Sequence, residues 1–289
     1  MRTRYRAHLR AADRPRRGVA LVAVLWIVAA LSILVTGMVQ SQRDEIRLVA
    51  TARQTLQAAA AGSAAVQMVL QQMSLQEAPV TALRTVDVEY AGMVIPVQVM
   101  PLNGLVDLNK AQAPLLTALF MIAGGLQPAP AAALANALVA SRAPGTGRGA
   151  GPRYEAPEDL LQLPGVDFDL YARLSASVTT DSLGSGRVNP MAAPASVLAV
   201  LSGGDFSRAA AVAGGRDAGQ AGVDTTLLTA EFTDNAGTRR FRLQARVPLA
   251  DGRRLLSTRM VDMTRVVSRR VPWRVFHADD RIEPLDPTN

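Results

Sequence analysis

The amino-acid sequence predicts an α+β fold, in which a long N-terminal helix packs on an antiparallel sheet and a large all-helical insertion interrupts that sheet. Three observations support this prediction. No proline occurs between Val19 and Glu77, two strand-like runs follow, and the last third of the chain has the alternation of strands. Between the strand-rich parts lies a region dense in Ala, Leu, Pro and Gly.

The chain begins with a basic segment followed by an apolar run. Seven arginines lie in residues 1–18, and residues 19–39 carry no charge. At about 1.5 Å per residue, this run reaches about 32 Å as a helix, enough to cross a bilayer core. The arginines should keep their end in the cytoplasm. A signal peptide, whose apolar region is shorter, and a plain single-pass anchor are the alternatives.

The positive net charge of the chain does not indicate a polyanionic partner. The formal net charge is +7, but residues 1–18 hold seven of the 31 basic residues and one of the 24 acidic ones. The remainder therefore carries 24 basic and 23 acidic residues. The excess of basic residues lies in the leader, so it indicates membrane topology and not nucleic-acid binding. The chain has no cysteine, so it can have neither a disulfide nor a thiolate nucleophile.

Beyond the apolar run the helical pattern continues. Apolar and small residues recur every three or four positions, which predicts one amphipathic face of a helix about 55 residues long. These residues are Ile46, Val49, Ala52, Leu56, Ala59, Ala60, Ser63, Val66, Leu70 and Met73.

A hairpin and then a helical block should follow this helix. The runs Thr85–Tyr90 and Met93–Met100 are separated by Ala91-Gly92, which favours a tight turn. Short helices with Pro near their first turns are expected at 114–122, 129–141, 157–162, 169–174 and 194–201. Residues 143–152, rich in Gly and Pro, are expected to form a loop.

The last third predicts an antiparallel three-stranded meander. Its strands are expected at 227–233, 239–247 and 253–265, since turn-forming residues separate these runs. The charged tail from Pro272 to Asn289 is expected to be loosely ordered.

A weak internal repeat lies inside the insertion. The segment 108–114 has the pattern Leu-Asn-x-x-x-Ala-Pro, and the segment 188–194 has the pattern Val-Asn-x-x-x-Ala-Pro. An apolar helix follows each copy, so Asn109 and Asn189 are candidate helix caps. Between the copies, residues 158–165 read Glu-Asp-Leu-Leu-Gln-Leu-Pro-Gly.

Taken in this order, these elements resemble the protein K family of the type II secretion system, the large minor pseudopilins. The resemblance covers most of residues 16–202 and includes the leader. Arg17-Gly18 before Val19 looks like a prepilin-type cleavage site, read by a prepilin peptidase that cuts after Gly18. Ala23 stands at the fifth mature position, where pilin-like proteins usually have Glu. In the family, that Glu pairs with the amine of a neighbouring subunit, so a subunit without it is suited to the filament tip.

The resemblance implies a pilin-like fold and a function in protein secretion. The family member caps a periplasmic pseudopilus, forms a tip complex with the I and J minor pseudopilins, and starts assembly for export of folded proteins across the outer membrane. It implies methylation of the new amine, a single-pass inner-membrane location with the bulk in the periplasm, and no enzymatic activity. The corresponding segments are 1–18 (leader), 19–42 (transmembrane half-helix), 43–109 (rest of the helix and first strands), 110–222 (helical insertion), 223–268 (C-terminal strands) and 269–289 (tail).

Calcium is the cofactor associated with this family, but its ligands are not identifiable here. Family members often carry an acid-rich Asp-Trp-x-Asp-x-Asp stretch after the helix corresponding to residues 131–139. This chain has Ala140-Ser141-Arg142-Ala143 in that position. Calcium needs six to eight oxygens, several of them from carboxylates. We therefore assign no metal ligand and expect no cofactor.

The other candidate sites favour packing over chemistry. A DNA-binding helix-hairpin-helix would need a second Gly where Asp167 stands, and a carboxylate there would repel a phosphate. Glu158 and Asp159 are adjacent at a helix start, so they should point apart and favour the helix dipole. His277 stands alone in the tail. A minor pilin of a type IV pilus is the runner-up, and a membrane-anchored periplasmic enzyme or binding module is the third hypothesis.

Overall fold

The structure is a computed structural model that describes residues 17–76, 80–142, 154–220, 222–264 and 271–283. Within the first range, the side chains of residues 17–20 and 34–47 lie outside the described part. The chain divides into two compact units, one ending at Thr55 and the other beginning at Leu56.

The long helix predicted from the absence of proline is confirmed. Helix α1 spans Arg17–Leu75, 59 residues. In the first unit, residues 21–33 and 48–53 of this helix are exposed on every side.

In the second unit, α1 packs on the sheet through small residues. Its buried positions recur every three or four residues, as a helix face requires. They are Ala58, Ala61, Ala65, Val66, Val69, Leu70 and Met73. The predicted face included Val66 and Leu70 correctly, but Leu56 is 71% exposed.

The close approach of helix and sheet explains that error. A Cβ added at Gly62 would lie 2.8 Å from Cβ of Ser257 on the sheet. Only Gly fits at that position, so the buried face is centred on Gly62 and the neighbouring alanines, and Leu56 lies outside it.

The sheet is five-stranded and antiparallel. Its order is β1-β2-β5-β6-β7. The strands are β1 (Arg84–Tyr90), β2 (Met93–Pro101), β5 (Arg240–Pro248), β6 (Arg254–Asp262) and β7 (Arg274–Glu283). The predicted β1–β2 hairpin is confirmed: Ala91 and Gly92 both have positive φ, as a two-residue hairpin turn requires.

Two predictions for the last third are wrong. Residues 227–233 form a turn and a short 3₁₀ segment, Ala230–Phe232, because they pack on the helical block, where the Thr229 amide donates to the Leu201 carbonyl. Part of the supposed tail is ordered, since β7 pairs with β6 over its whole length and forms the third strand of the meander.

The helical block lies between β2 and β5. It contains a two-stranded parallel sheet, β3 (Val106–Asp107) with β4 (Val178–Thr179). Its helices are α2 (Ala113–Ile122), α3 (Pro128–Ser141), α4 (Phe168–Leu174), α5 (Ala195–Leu201) and α6 (Phe206–Asp217). Four of these five, and the 3₁₀ segment Pro157–Gln162, match the predicted helices, whereas α6 was not predicted.

Each part of the second unit has its own core. The first lies between the second half of α1 and the five-stranded sheet, with Ile95 and Leu243 fully buried. The second fills the helical block, where Phe120 and Leu198 are fully buried. The block is therefore a packed body of its own within the unit.

Candidate functional site

The two copies of the repeated Asn element have matching backbone surroundings. The amide of Leu108 donates to the carbonyl of Thr179, beside the parallel pairing of β3 with β4. The amide of Val188 donates to the carbonyl of Phe232, beside a parallel bridge from Val188 to Thr233. The weak sequence repeat therefore corresponds to a repeated structure: a parallel bridge, then a turn, then a pair of helices.

Asn109 fastens the first copy to two distant segments. Its side-chain amide donates to the carbonyls of Tyr154 and Thr180, both at 2.8 Å, and its side-chain oxygen accepts from the amide of Tyr154 at 3.1 Å. All three bonds stay inside the helical block. The predicted capping role of Asn109 is wrong, because Gln112 occupies the N-cap position of α2.

Asn189 fastens the second copy to the chain that enters the sheet. Its side-chain amide donates to the carbonyl of Thr81 at 2.9 Å, three residues before β1. Its side-chain oxygen accepts from the amide of Met191, and the Met191 carbonyl accepts from Leu83. The predicted capping role of Asn189 is also wrong, because Pro194 occupies the N-cap position of α5. Both side-chain amides therefore donate to distant carbonyls and not to a helix start.

Two glycines bring the copies against each other. A Cβ added at Gly104 would lie 2.2 Å from the carbonyl oxygen of Ala192, in the second copy. A Cβ added at Gly186 would lie 2.4 Å from the carbonyl oxygen of Lys110, in the first copy. The backbone shortly before each copy is thus in direct contact with the backbone of the other copy.

The acidic pair Glu158 and Asp159 serves local structure. The Asp159 carboxylate accepts from the amides of Glu155 and Ala156 at 2.8 and 3.1 Å, at the start of the 3₁₀ segment. The Glu158 carboxylate accepts from the Tyr171 hydroxyl at 2.9 Å. Burial and this bond raise the pKa of Tyr171 to about 12. The two carboxylates point apart, as predicted.

The residues of the predicted leader site lie at the start of α1. Arg17 is its first residue, Gly18 and Val19 are in its first turn, and Ala23 is exposed one turn later. The side chains of Arg17 and Val19 lie outside the described part, as do residues 1–16. Cleavage after Gly18 therefore stays a prediction.

Within the part of the chain that the structure describes, no helix meets the length and hydropathy that a membrane crossing requires. Parts of the predicted transmembrane half-helix 19–42, residues 19–20 and 34–42, have side chains outside that part.

No group of three or more acidic or histidine side chains that could hold a metal is found among the described residues. Residues 143–153, which follow the position of the family's acid-rich stretch, lie outside them.

Sequence reasoning missed a groove between the helical block and the sheet. Its volume is about 710 Å³. One wall consists of the 3₁₀ segment and α4, including Phe168 and Tyr171. The other consists of the outer face of β5, β6 and β7, including Arg242 and Phe276. The groove was missed because the residues of β7 were assigned to a loose tail.

The comparisons with known proteins gave a structural likeness. No family model matches the chain, and no curated protein matches it. A chain in the solved structure of the GspK-GspI-GspJ complex from the enterotoxigenic Escherichia coli Type 2 Secretion System is similar, with 13% identity and a TM-score of 0.42. The match covers 84% of this chain and 98% of that one.

Proposed function

We propose that this chain is a minor pseudopilin of the type II secretion system, of the protein K kind. It sits at the pseudopilus tip with the I and J proteins and starts assembly for export of folded proteins. One combination of features supports the proposal: a long helix packs its second half on an antiparallel sheet, and a large helical block between β2 and β5 holds both repeated Asn elements.

The first part of α1 supports an anchoring role in the inner membrane. Every residue from Leu21 to Ile33 is exposed, and Trp26 and Ile33 are each 75% exposed. Apolar surface left in water is unfavourable by about 25 cal/mol per Å², so this segment needs lipid or neighbouring subunits around it. The arginines before it favour a cytoplasmic leader, with the sheet and the helical block in the periplasm.

Ala23 supports the tip position. A filament subunit with Glu there can pair it with the amine of the subunit already in place, which offsets the cost of an ionised group in the bilayer. A subunit with Ala23 makes no such pair and needs no subunit in front of it. It is therefore suited to be the first in the filament.

The cleavage test uses two glycines of α1. We expect Gly18→Leu to abolish processing, because the peptidase must fit backbone without a side chain before the cut. Gly37→Leu, in the same helix, is the matched control and should be processed normally. Mass spectrometry of protein extracted from membranes should show loss of residues 1–18 and one added methyl group. An intact N-terminus in the wild type would contradict the proposal.

The tip role is tested by restoring the carboxylate. Ala23→Glu places an ionisable group inside the apolar run, at a cost of about 3 kcal/mol when it is unpaired. We expect less assembly and less export of secreted enzymes from a strain whose only copy carries the change. Ala23→Ser is the control and should behave as wild type. Normal export, with the Glu variant spread along the filament, would refute the argument from Ala23.

The effect of calcium on the stability of the chain is tested by thermal unfolding. The acid-rich stretch of the family is replaced by Ala140-Ser141-Arg142-Ala143, so we expect melting curves in calcium and in chelator to coincide. A large rise of the melting temperature in calcium would reveal a site formed by other carboxylates.

A further inference from the structure

Arg242 is a half-buried cation without an anionic partner among the described residues. Its Nε atom is buried with no hydrogen-bond partner, and the contact of its Nη2 atom is the sulfur of Met100 at 3.5 Å. Its cross-strand neighbours in the sheet are Met100 and Met260. Burial, with added repulsion from Arg281, lowers the pKa of Arg242 to about 10.

Arg240, on the same strand, is an arginine that has anionic partners. It lies two residues earlier, on the same face of β5, and forms ion pairs with Asp262 and Asp181. An unpaired charge is destabilising where water is excluded from it, which is why buried arginines normally have such partners. A position that carries this cost without an internal anion is suited to receive an anion from outside.

The groove around Arg242 has the length of an extended peptide. On β7 its lining runs from Phe276 to Glu283, about 23 Å at the rise of a strand. Six or seven residues in an extended conformation span that distance. A small anion would leave most of it empty.

The walls indicate an amphipathic ligand with few charges. Phe168 is 70% exposed and Phe276 is 38% exposed, so both can receive apolar side chains. Five carboxylates also line the groove, those of Glu155, Glu158, Asp181, Asp279 and Glu283, and Asp181 is paired with Arg240. A polyanion would meet repulsion from these groups, whereas a single carboxylate placed on Arg242 would not approach them all.

We propose that this groove binds an extended segment of a partner protein, with one aspartate or glutamate of that segment on the guanidinium of Arg242 and apolar neighbours on Phe168 and Phe276. The proposal stands on the groove alone and is independent of the proposed role in secretion. Arg246 and Arg281, also in the lining, would favour the same carboxylate from a distance.

The test measures peptide binding to the full-length chain in mild detergent. The probe is a set of capped heptapeptides with a central aspartate flanked by leucine, threonine and serine, and the matched set has asparagine at the centre. We expect the aspartate peptides to bind at least tenfold tighter, because a bidentate pair with guanidinium is lost in the amide. Succinate and inorganic phosphate at the same concentrations should not bind.

Variants separate binding from folding. Arg242→Met should abolish peptide binding and leave the melting temperature of the free protein unchanged or higher, since it removes an unpaired buried charge. Arg242→Lys, which keeps the charge but not the fork, should bind with intermediate affinity. Arg253→Met, at the β5–β6 turn, is the control and should bind as wild type.

Four results would overturn the proposal. They are equal affinity for the aspartate and asparagine peptides, no binding up to about 1 mM, binding of succinate or phosphate as tight as that of the peptides, and retained binding in Arg242→Met.

Discussion

The two copies of the repeated Asn element share a sequence pattern but fasten different parts of the molecule. The Asn109 side chain makes three hydrogen bonds that all remain within the helical block, to Tyr154 and Thr180. The Asn189 side chain makes one long-range hydrogen bond, to Thr81, and one local bond. The first copy therefore closes the block on itself, and the second joins the block to the chain that enters the sheet.

This difference shows how a repeated element can acquire two structural roles without changing its pattern. Both copies keep a buried apolar residue before the Asn, Leu108 in one and Val188 in the other. Both keep a parallel bridge to a later segment. The copies differ in the segment that lies opposite the Asn side chain. Which segment lies there depends on the chain before and after each copy.

The largest expected effect comes from separating the two copies. Gly104→Ala would place a Cβ 2.2 Å from the Ala192 carbonyl oxygen, so the backbone of one copy must move. We expect a loss of about 3 kcal/mol or more in the free energy of unfolding. Gly214→Ala is the control, because a Cβ there meets nothing within 4 Å and Ala favours a helix. Chemical denaturation of both variants measures the difference, and similar stabilities would contradict the contact.

The next effect distinguishes the two asparagines. Asn109→Ala leaves two carbonyls and one amide unpaired, so we expect a loss of about 2–3 kcal/mol. Asn189→Ala removes one long-range bond and should cost about 1–2 kcal/mol. Denaturant midpoints with unchanged slopes would report both values.

Hydrogen exchange rates of single amides distinguish the two variants further. Asn109→Ala should speed exchange of the Tyr154 amide, which donates to the Asn109 side chain. Asn189→Ala should instead speed exchange of the Leu83 amide, beside the sheet. The same pattern of exchange in both variants would mean that the copies do not have separate roles.

The smallest effect concerns pH and the second copy alone. The Ser185 hydroxyl and the Ala236 amide donate to the Asp234 carboxylate at 2.6 and 2.9 Å, and these bonds lower the pKa of Asp234. A lowered pKa contributes stability above the unfolded value near pH 4, and that contribution is lost as the pH falls further. Ser185→Ala should therefore cost at most about 0.5 kcal/mol at pH 6 and less at pH 3. A variant whose deficit grows toward pH 3 would contradict this assignment.

Local signals predicted most of the fold. Ala91-Gly92 identified the first hairpin, and the absence of proline identified α1. Prolines at the start identified α2, α3, α5 and the 3₁₀ segment Pro157–Gln162. Each of these signals depends on residues that are close together in the chain, so it can be recognised in a single sequence. Asp205, which caps α6 by accepting from the amides of Ser207 and Arg208, was a similar signal that was overlooked.

Tertiary contacts explain the errors. Asn109 and Asn189 have the residue type of a helix cap, yet distant carbonyls take up their amides. The charged sequence of β7 has no pattern of a buried strand, because nine of its ten residues are exposed at the sheet edge. The groove depends on that strand and on Phe168 facing it across the fold, so no local pattern indicated it.

The position of the helical block between β2 and β5 has a consequence for the order of folding. Pairing of these two strands joins residues about 140 positions apart, such as Met100 and Arg242. Closing so long a loop of unfolded chain is slow and entropically unfavourable. Asn103 donates to the carbonyl of Ala236, so the two ends of the block meet next to this strand pair. A block that folds first therefore brings β2 and β5 together, and the central pairing of the sheet becomes a short-range event.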